Sequence, residues 1–181
     1  NRVSYLLNLH GPSEPIDTAC SSSLVAFHRA IESIRMGSSE MAIVGGVNVI
    51  VSPSVAIASS GAGMLSEVGR CKSFDQSADG YVRSEGVGAV ILKPLSRARK
   101  DKDRIYGVIR GSAENHGGKS TTPSAPNPKA QKALLVEAYS RAGVDPRSVS
   151  YIEAHGTGTK LGDPIEFNGL KGAFEELYQK K

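Results

Sequence analysis

A chain of 181 residues is long enough for one compact domain with a real core, and its 20 Gly and 9 Pro, about 16% of the total, describe a loop-rich globular protein and exclude a fibrous or disordered one. The net charge is +4, with six basic against eight acidic side chains in residues 1–90 and sixteen against ten in residues 91–181, an asymmetry too mild to argue for nucleic acid. The longest apolar run, residues 41–51, is broken by Asn48 and falls short of the ~20 residues that cross a bilayer, residues 1–30 carry no secretory pattern, and the two cysteines form no CxxC pair, which indicates neither a disulfide framework nor a zinc or other metal site. No membrane span is expected, and a reducing, cytoplasmic setting follows.

Short apolar runs alternate with stretches of helical spacing, which predicts an α/β protein built on a largely parallel sheet. Asp17 and Thr18 end a strand, and a helix follows from Cys20–Ser23 to Met36, carried by Leu24, Phe27, Ile31 and Ile34 and stopped by Gly37. Residues 41–51 predict a strand buried on both faces, with Gly45 and Gly46 admitting a close neighbour. A second buried strand is expected at 87–92, closed by Pro94, and a third at 105–109. Between them the charged residues 97–104 read as a linker joining two halves, 1–96 and 105–181. Alternating Arg and Lys with Asp101 and Asp103, this stretch is a solvated surface, or alternatively a basic patch that steers an acidic partner. After an irregular segment, 112–125, Asn127 and Pro128 open a helix with an apolar stripe at Ala130, Ala133, Leu134, Ala138 and Ala142, and Gly143 closes it. A fourth strand is expected at 149–154. Asp163, Pro164 and Glu166 then supply a cap, a first-turn proline and a capping-box acid for a last helix running toward Lys181.

Two segments carry chemistry. In Asp17-Thr18-Ala19-Cys20-Ser21-Ser22-Ser23 a thiol stands at a strand-to-helix junction, where free backbone N–H groups and the helix dipole favour a thiolate and small neighbours leave room for an acyl group. A lone thiol in a tight turn can equally be inert. In Glu153-Ala154-His155-Gly156-Thr157-Gly158-Thr159 a histidine ends a strand before a glycine-rich turn, where it can donate to a developing oxyanion or simply cap the turn through its ring. A Cys and a His at the carboxyl ends of strands in an open α/β sheet point to one crevice.

The segment DTACSSSL, Asp17 to Leu24, closely resembles the active-site cysteine motif of β-ketoacyl synthases, in particular the ketosynthase domains of modular polyketide synthases. Further segments resemble the same family in the same order: Gly45 to Asn48; Gly69-Arg70-Cys71-Lys72-Ser73-Phe74-Asp75; Ala78 to Tyr81 and Glu85 to Gly88; and EAHGTGTKLGDPIE, Glu153 to Glu166. Residues 115–119 with 125–128 resemble the variant in which the acyltransferase acts in trans. The resemblance implies a thiolase-like fold, two related βαβαβ halves in α/β/α/β/α layers, incomplete at both ends in this chain, with a homodimer as the usual state. It implies that Cys20 takes an acyl chain from a carrier-protein thioester and lends its N–H to the oxyanion hole. His155 would be the first of two histidines that stabilise the enolate left when malonyl carrier protein loses carbon dioxide, and Thr157 and Thr159 would hydrogen-bond the phosphopantetheine arm. The resemblance also implies that no cofactor is bound directly, since substrates would arrive on the phosphopantetheine arm of acyl carrier protein. Other polyketide synthase domains are expected partners; nucleic acid and membrane are not. The family's second histidine, in a Lys-Ser-Asn-Ile-Gly-His type segment, is expected beyond Lys181, and the early strands before Asn1.

Competing motifs fail on spacing. Gly118-Lys119-Ser120 lacks the phosphate-loop glycine, because position 113 is Ala113, and Gly156, Gly158 and Gly162 are one residue too widely spaced for a dinucleotide fingerprint. No Cys precedes an aromatic and Trp is absent, unlike thiol proteases. His28 lies two turns along the helix from Cys20, His10 and His116 sit in turn-rich stretches, and Cys71 reads as a partly buried structural thiol. Condensation competes with a gatekeeping module that handles carrier thioesters without extending them; the presence of both Cys20 and His155 favours condensation.

Overall fold

The computed structural model describes residues 1–122 and 125–179; Pro123 and Ser124 of the irregular segment, and Lys180 and Lys181 at the expected end of the last helix, lie outside the described residues. In chain order the elements are α1 (Arg2–Leu6), a 3₁₀ turn (Ala19–Ser21), α2 (Ser22–Arg35), β1 (Ala42–Asn48), α3 (Ser54–Gly61), β2 (Gly86–Leu92), α4 (Leu95–Lys100), α5 (Pro128–Ala142), a second 3₁₀ turn (Pro146–Ser148) and α6 (Gly162–Gln179). They divide between two compact units, one of Asn1–Val49 with Glu85–Ile109 and the other of Ile50–Ser84 with Arg110–Lys181.

In the first unit β1 pairs with β2 in an antiparallel register from Ala42 opposite Leu92 to Asn48 opposite Gly86, which corrects the expected parallel pairing. The apolar runs announce strands but not their direction, and the 37 residues between Asn48 and Gly86 are long enough to return either way. Of the two glycines in β1, one is required by packing: a Cβ on Gly46 would stand 2.5 Å from Ser23 Oγ, whereas one on Gly45 would meet only Gly88 O at 3.7 Å. Gly46 thus lets the head of α2 lie against the strand. The expectation of strands buried on both faces is also corrected. Val44 is buried, but Ile43, Val47, Val87, Val90 and Ile91 are exposed, while α2 packs against β1. Residues 105–109 join no ladder among the described residues, and Tyr106 there is covered by the Arg104 guanidinium, 4.9 Å from its ring centroid. The charged segment opens within α4, where Lys93 Nζ reaches Asp101 at 2.7 Å and Asp103 at 2.6 Å and Arg97 reaches Asp101 at 2.8 Å. These bonds, that of Lys93 foremost, hold the Asp101 carboxyl below its ordinary value.

The second unit is organised by α5 and α6. Asn127 Oδ1 accepts from the N–H groups of Lys129 and Ala130 while its amide donates to Gly117 O, so one side chain caps α5 and ties the preceding loop to it. Gly143, at φ +60°, closes the helix as expected. Ala173 and Leu177 of α6 are buried, Tyr139 of α5 meets Phe174 edge-on at 5.4 Å, and Lys132 pairs with Glu176 at 2.9 Å. The expected strand at 149–154 has no ladder partner among the described residues. Helix α3 has no counterpart among the predicted elements, because its residues, SVAIASSG, carry no amphipathic stripe. No helix among the described residues is long and apolar enough to cross a membrane.

Candidate active site

Cys20 is exposed in the 3₁₀ turn that leads into α2, so the sulfur stands at the head of a 14-residue helix. The chain reaches that position through Ala19, whose φ of +56° lies in the left-handed region that costs a residue with a Cβ on the order of 1 kcal/mol. Side chains hold it there. Asp17 accepts from Ala19 N–H at 3.2 Å; Ser22 Oγ accepts from Thr18 N–H at 2.9 Å and donates to Ala19 O at 2.6 Å; Ser21 donates to Thr18 O at 2.9 Å. The serines are therefore more than small neighbours leaving space: Ser21 and Ser22 build the turn, and Ser23 marks where α2 meets Gly46. The strand expected before Asp17 is not found among the described residues, and the turn is fixed by its own polar groups.

His155 lies in the second unit and is exposed, at the start of a turn in which Gly156 and Gly158 take φ of +51° and +71°. Glu166 accepts from His155 N–H at 2.6 Å and from Gly156 N–H at 2.8 Å, one oxygen for each. Asp163, only 4% exposed, accepts from Gly158 N–H at 3.0 Å and, through its other oxygen, from Phe74 N–H at 2.6 Å. This corrects the expectation that both acids cap their own helix. They stand on the first turns of α6, three residues apart and so on one face, and are spent on the preceding turn. Thr159 takes the capping role, its Oγ1 accepting from Gly162 N–H at 3.0 Å.

The turn is backed by residues 72–80. Ser73 donates its hydroxyl proton to Gly156 O, Gly80 N–H donates to Gly158 O at 2.9 Å, and a Cβ on Gly158 would come within 3.0 Å of Lys72 N. Lys72 pairs with Asp79 at 3.0 Å and, with Ser66, holds that carboxyl below its ordinary value. Cys71 is exposed where a partly buried thiol was expected, and its sulfur accepts from Val82 N–H at 3.1 Å. The predicted Thr157 and Thr159 do come together, their hydroxyls 2.9 Å apart. Either hydroxyl can donate to the other; Thr159 Oγ1 also accepts from Gly162 N–H, and Thr157 Oγ1 lies 3.5 Å from Asp163 Oδ1. Among the other histidines, His28 is buried in α2, His10 contacts Asn8 Oδ1 at 3.1 Å, and His116 accepts from Gly118 N–H at 2.9 Å. Cys20 belongs to one unit and the His155, Thr157 and Thr159 turn to the other.

Residues 1–98 match the family "Beta-ketoacyl synthase, N-terminal domain" and residues 106–181 match "Beta-ketoacyl synthase, C-terminal domain". The chain is 62% identical over 180 residues to polyketide synthase PksN of Bacillus subtilis, covering 99% of this chain and 3% of that protein. To polyketide synthase ThaG of Burkholderia thailandensis it is 53% identical over 176 residues, covering 97% of this chain and 3% of that protein. Among solved structures, the oxazolomycin ketosynthase domain OzmH KS7 of Streptomyces albus superposes with a TM-score of 0.95 at 51% identity, covering 97% of this chain and 30% of that one. The ketosynthase from module 6 of the bacillaene synthase of Bacillus subtilis does so with 0.95 at 48%, covering 97% and 31%. The chain thus spans 3% of the length of these two curated relatives and about a third of the solved ketosynthase chains, with which it shares the thiolase-like fold. Matched along nearly its whole length to the two ketosynthase domains, the chain belongs to the β-ketoacyl synthase family of polyketide synthases, which are transferases.

Proposed function

We propose that this chain supplies the nucleophile and one histidine of an elongating β-ketoacyl-[acyl-carrier-protein] synthase. The observation that carries the reading is the presence of both chemical centres in built surroundings: Cys20 on a turn braced by Asp17, Ser21 and Ser22, and His155 on a turn gripped by Glu166 and Asp163. The Cys20 thiolate attacks the carbonyl of an acyl thioester carried on acyl carrier protein. A carbon–sulfur bond to Cys20 forms, the bond to the phosphopantetheine sulfur breaks, and the departing thiolate takes up the proton that Cys20 had given up. The N–H of Cys20, within the 3₁₀ turn, stabilises the oxyanion between these events. Malonyl carrier protein then loses carbon dioxide, and the electron pair becomes an enolate to which the His155 ring donates a hydrogen bond. The enolate carbon attacks the acyl–Cys20 carbonyl, a carbon–carbon bond forms, and the Cys20 thiolate is released. Thr157 and Thr159, whose hydroxyls lie 2.9 Å apart on the His155 turn, hydrogen-bond the phosphopantetheine arm.

On this reading residues 1–96 belong to the first ketosynthase half and 105–181 to the second. The protein works in the cytoplasm as a homodimer beside other polyketide synthase domains, and residues 115–119 support kinship with enzymes whose acyltransferase acts in trans. The test is mass spectrometry of the ketosynthase that contains this chain after exposure to an acyl thioester and then to malonyl carrier protein. Cys20→Ala is expected to abolish the adduct, and His155→Ala to keep the adduct while stopping condensation. An unmodified Cys20 in the parent overturns the enzyme reading. An adduct that never yields a carbon–carbon bond in the parent identifies a gatekeeping module.

A further inference from the structure

The turn that carries His155 is held from two sides, and the two grips differ in chemistry. The carboxylates of α6 accept from N–H groups, those of His155, Gly156 and Gly158. An ionised carboxylate has no proton to give, so it can hold no carbonyl of the turn. The carbonyls are held from residues 72–80, Gly158 O by the backbone N–H of Gly80 and Gly156 O by the hydroxyl of Ser73. Gly156 sits between His155 and Thr157 at φ +51°, and a glycine there has little intrinsic barrier to rotating its peptide planes. The bond from Ser73 fixes the plane of the Gly156–Thr157 peptide, and with it the orientation of the histidine relative to the threonine hydroxyl. The segment already lies against the turn: a Cβ on Gly156 would be 3.3 Å from Ser73 Cβ and 3.3 Å from the Phe74 ring.

We propose that Ser73 is a positioning residue for condensation, acting through the Gly156 carbonyl on His155 and Thr157 without touching substrate. The assignment rests on the reading of His155 given above. Loss of one such hydrogen bond is expected to slow condensation about three- to tenfold. The experiment takes the ketosynthase containing this chain as parent, Ser73→Ala and Ser73→Thr, and follows three quantities: the acylation rate of Cys20, the kcat of condensation with malonyl carrier protein, and amide hydrogen exchange over residues 155–158. Ser73→Ala should leave acylation unchanged, lower the kcat of condensation, and speed exchange in the turn, and Ser73→Thr, which keeps the hydroxyl, should restore both. Unaltered exchange and condensation in Ser73→Ala overturn the proposal, as does a parallel loss of acylation and condensation, the mark of general structural damage. If the parent acylates but does not condense, the condensation reading fails by itself and the exchange measurement decides the bracing: faster exchange in Ser73→Ala, reversed in Ser73→Thr, upholds it, and no change refutes it.

Discussion

Replacing Asp163 tests how much the His155 turn depends on a single buried carboxylate. Its two oxygens take the N–H groups of Gly158 at 3.0 Å and Phe74 at 2.6 Å, and its side chain is almost wholly out of solvent. A hydrogen bond to a charged group contributes about 1.5–3 kcal/mol, and a buried donor stripped of its acceptor bears its full desolvation cost. Asp163→Ala removes both acceptors and is expected to destabilise the protein by about 3–5 kcal/mol. Asp163→Asn keeps the volume and one oxygen but turns an NH₂ toward one of the two donors, so it is expected to cost about 1.5–3 kcal/mol. The measurement is urea unfolding of the ketosynthase that contains this chain, followed by a probe of the second unit such as protection of the 155–160 amides. The reasoning is refuted if Asp163→Asn stays within about 0.5 kcal/mol of the parent, or if Asp163→Ala is no worse than Asp163→Asn.

Gly46→Ala should destabilise the first unit by about 1–3 kcal/mol, because the new methyl falls 2.5 Å from Ser23 Oγ. Adding Ser23→Ala should recover most of that loss, since the remaining approach, to Ser23 Cβ, is an ordinary 3.5 Å contact; strictly additive losses in a double-mutant cycle would contradict this packing. The Asp101 carboxyl is held below 3.8 in the folded state, so its contribution is complete above that value and is lost as the pH falls through the lower folded one. Hydrogen exchange in α4 should therefore quicken only in acid below pH 3.8, and Asp101→Asn should abolish that dependence. Weakening already well above that pH would contradict the assignment.

What the sequence makes legible is what local chemistry decides. Asn127, Pro128 and Gly143 mark the two ends of α5 because capping and a left-handed stop involve neighbours a few residues away. The serine-rich turn at Cys20 and the glycine-rich turn after His155 stand out for the same reason. The direction of β2 against β1 is set by pairing across 37 intervening residues, which no local pattern records. The apolar residues at 105–109 and 149–154 imply strands, and a strand needs a ladder partner that these runs do not name. Asp163 and Glu166 satisfy a helix-start pattern well enough to be read as caps, and their true partners, Phe74 and the His155 turn, lie 89 and 11 residues away. One signal was present: a turn of several glycines must present N–H groups, and acids just beyond it are natural acceptors.

The bracket around His155 also bears on how such enzymes can be recombined. Phe74 and Ser73 come from one stretch of chain and Asp163, Glu166 and Gly156 from another, so a crossover placed anywhere between residues 81 and 152 inherits the two sides of the bracket from different parents. A chimera joined there must match the Ser73 hydroxyl to the carbonyl it serves and the Asp163 carboxylate to the Phe74 amide. One joined before residue 72 or beyond residue 166 transfers the histidine together with its whole support.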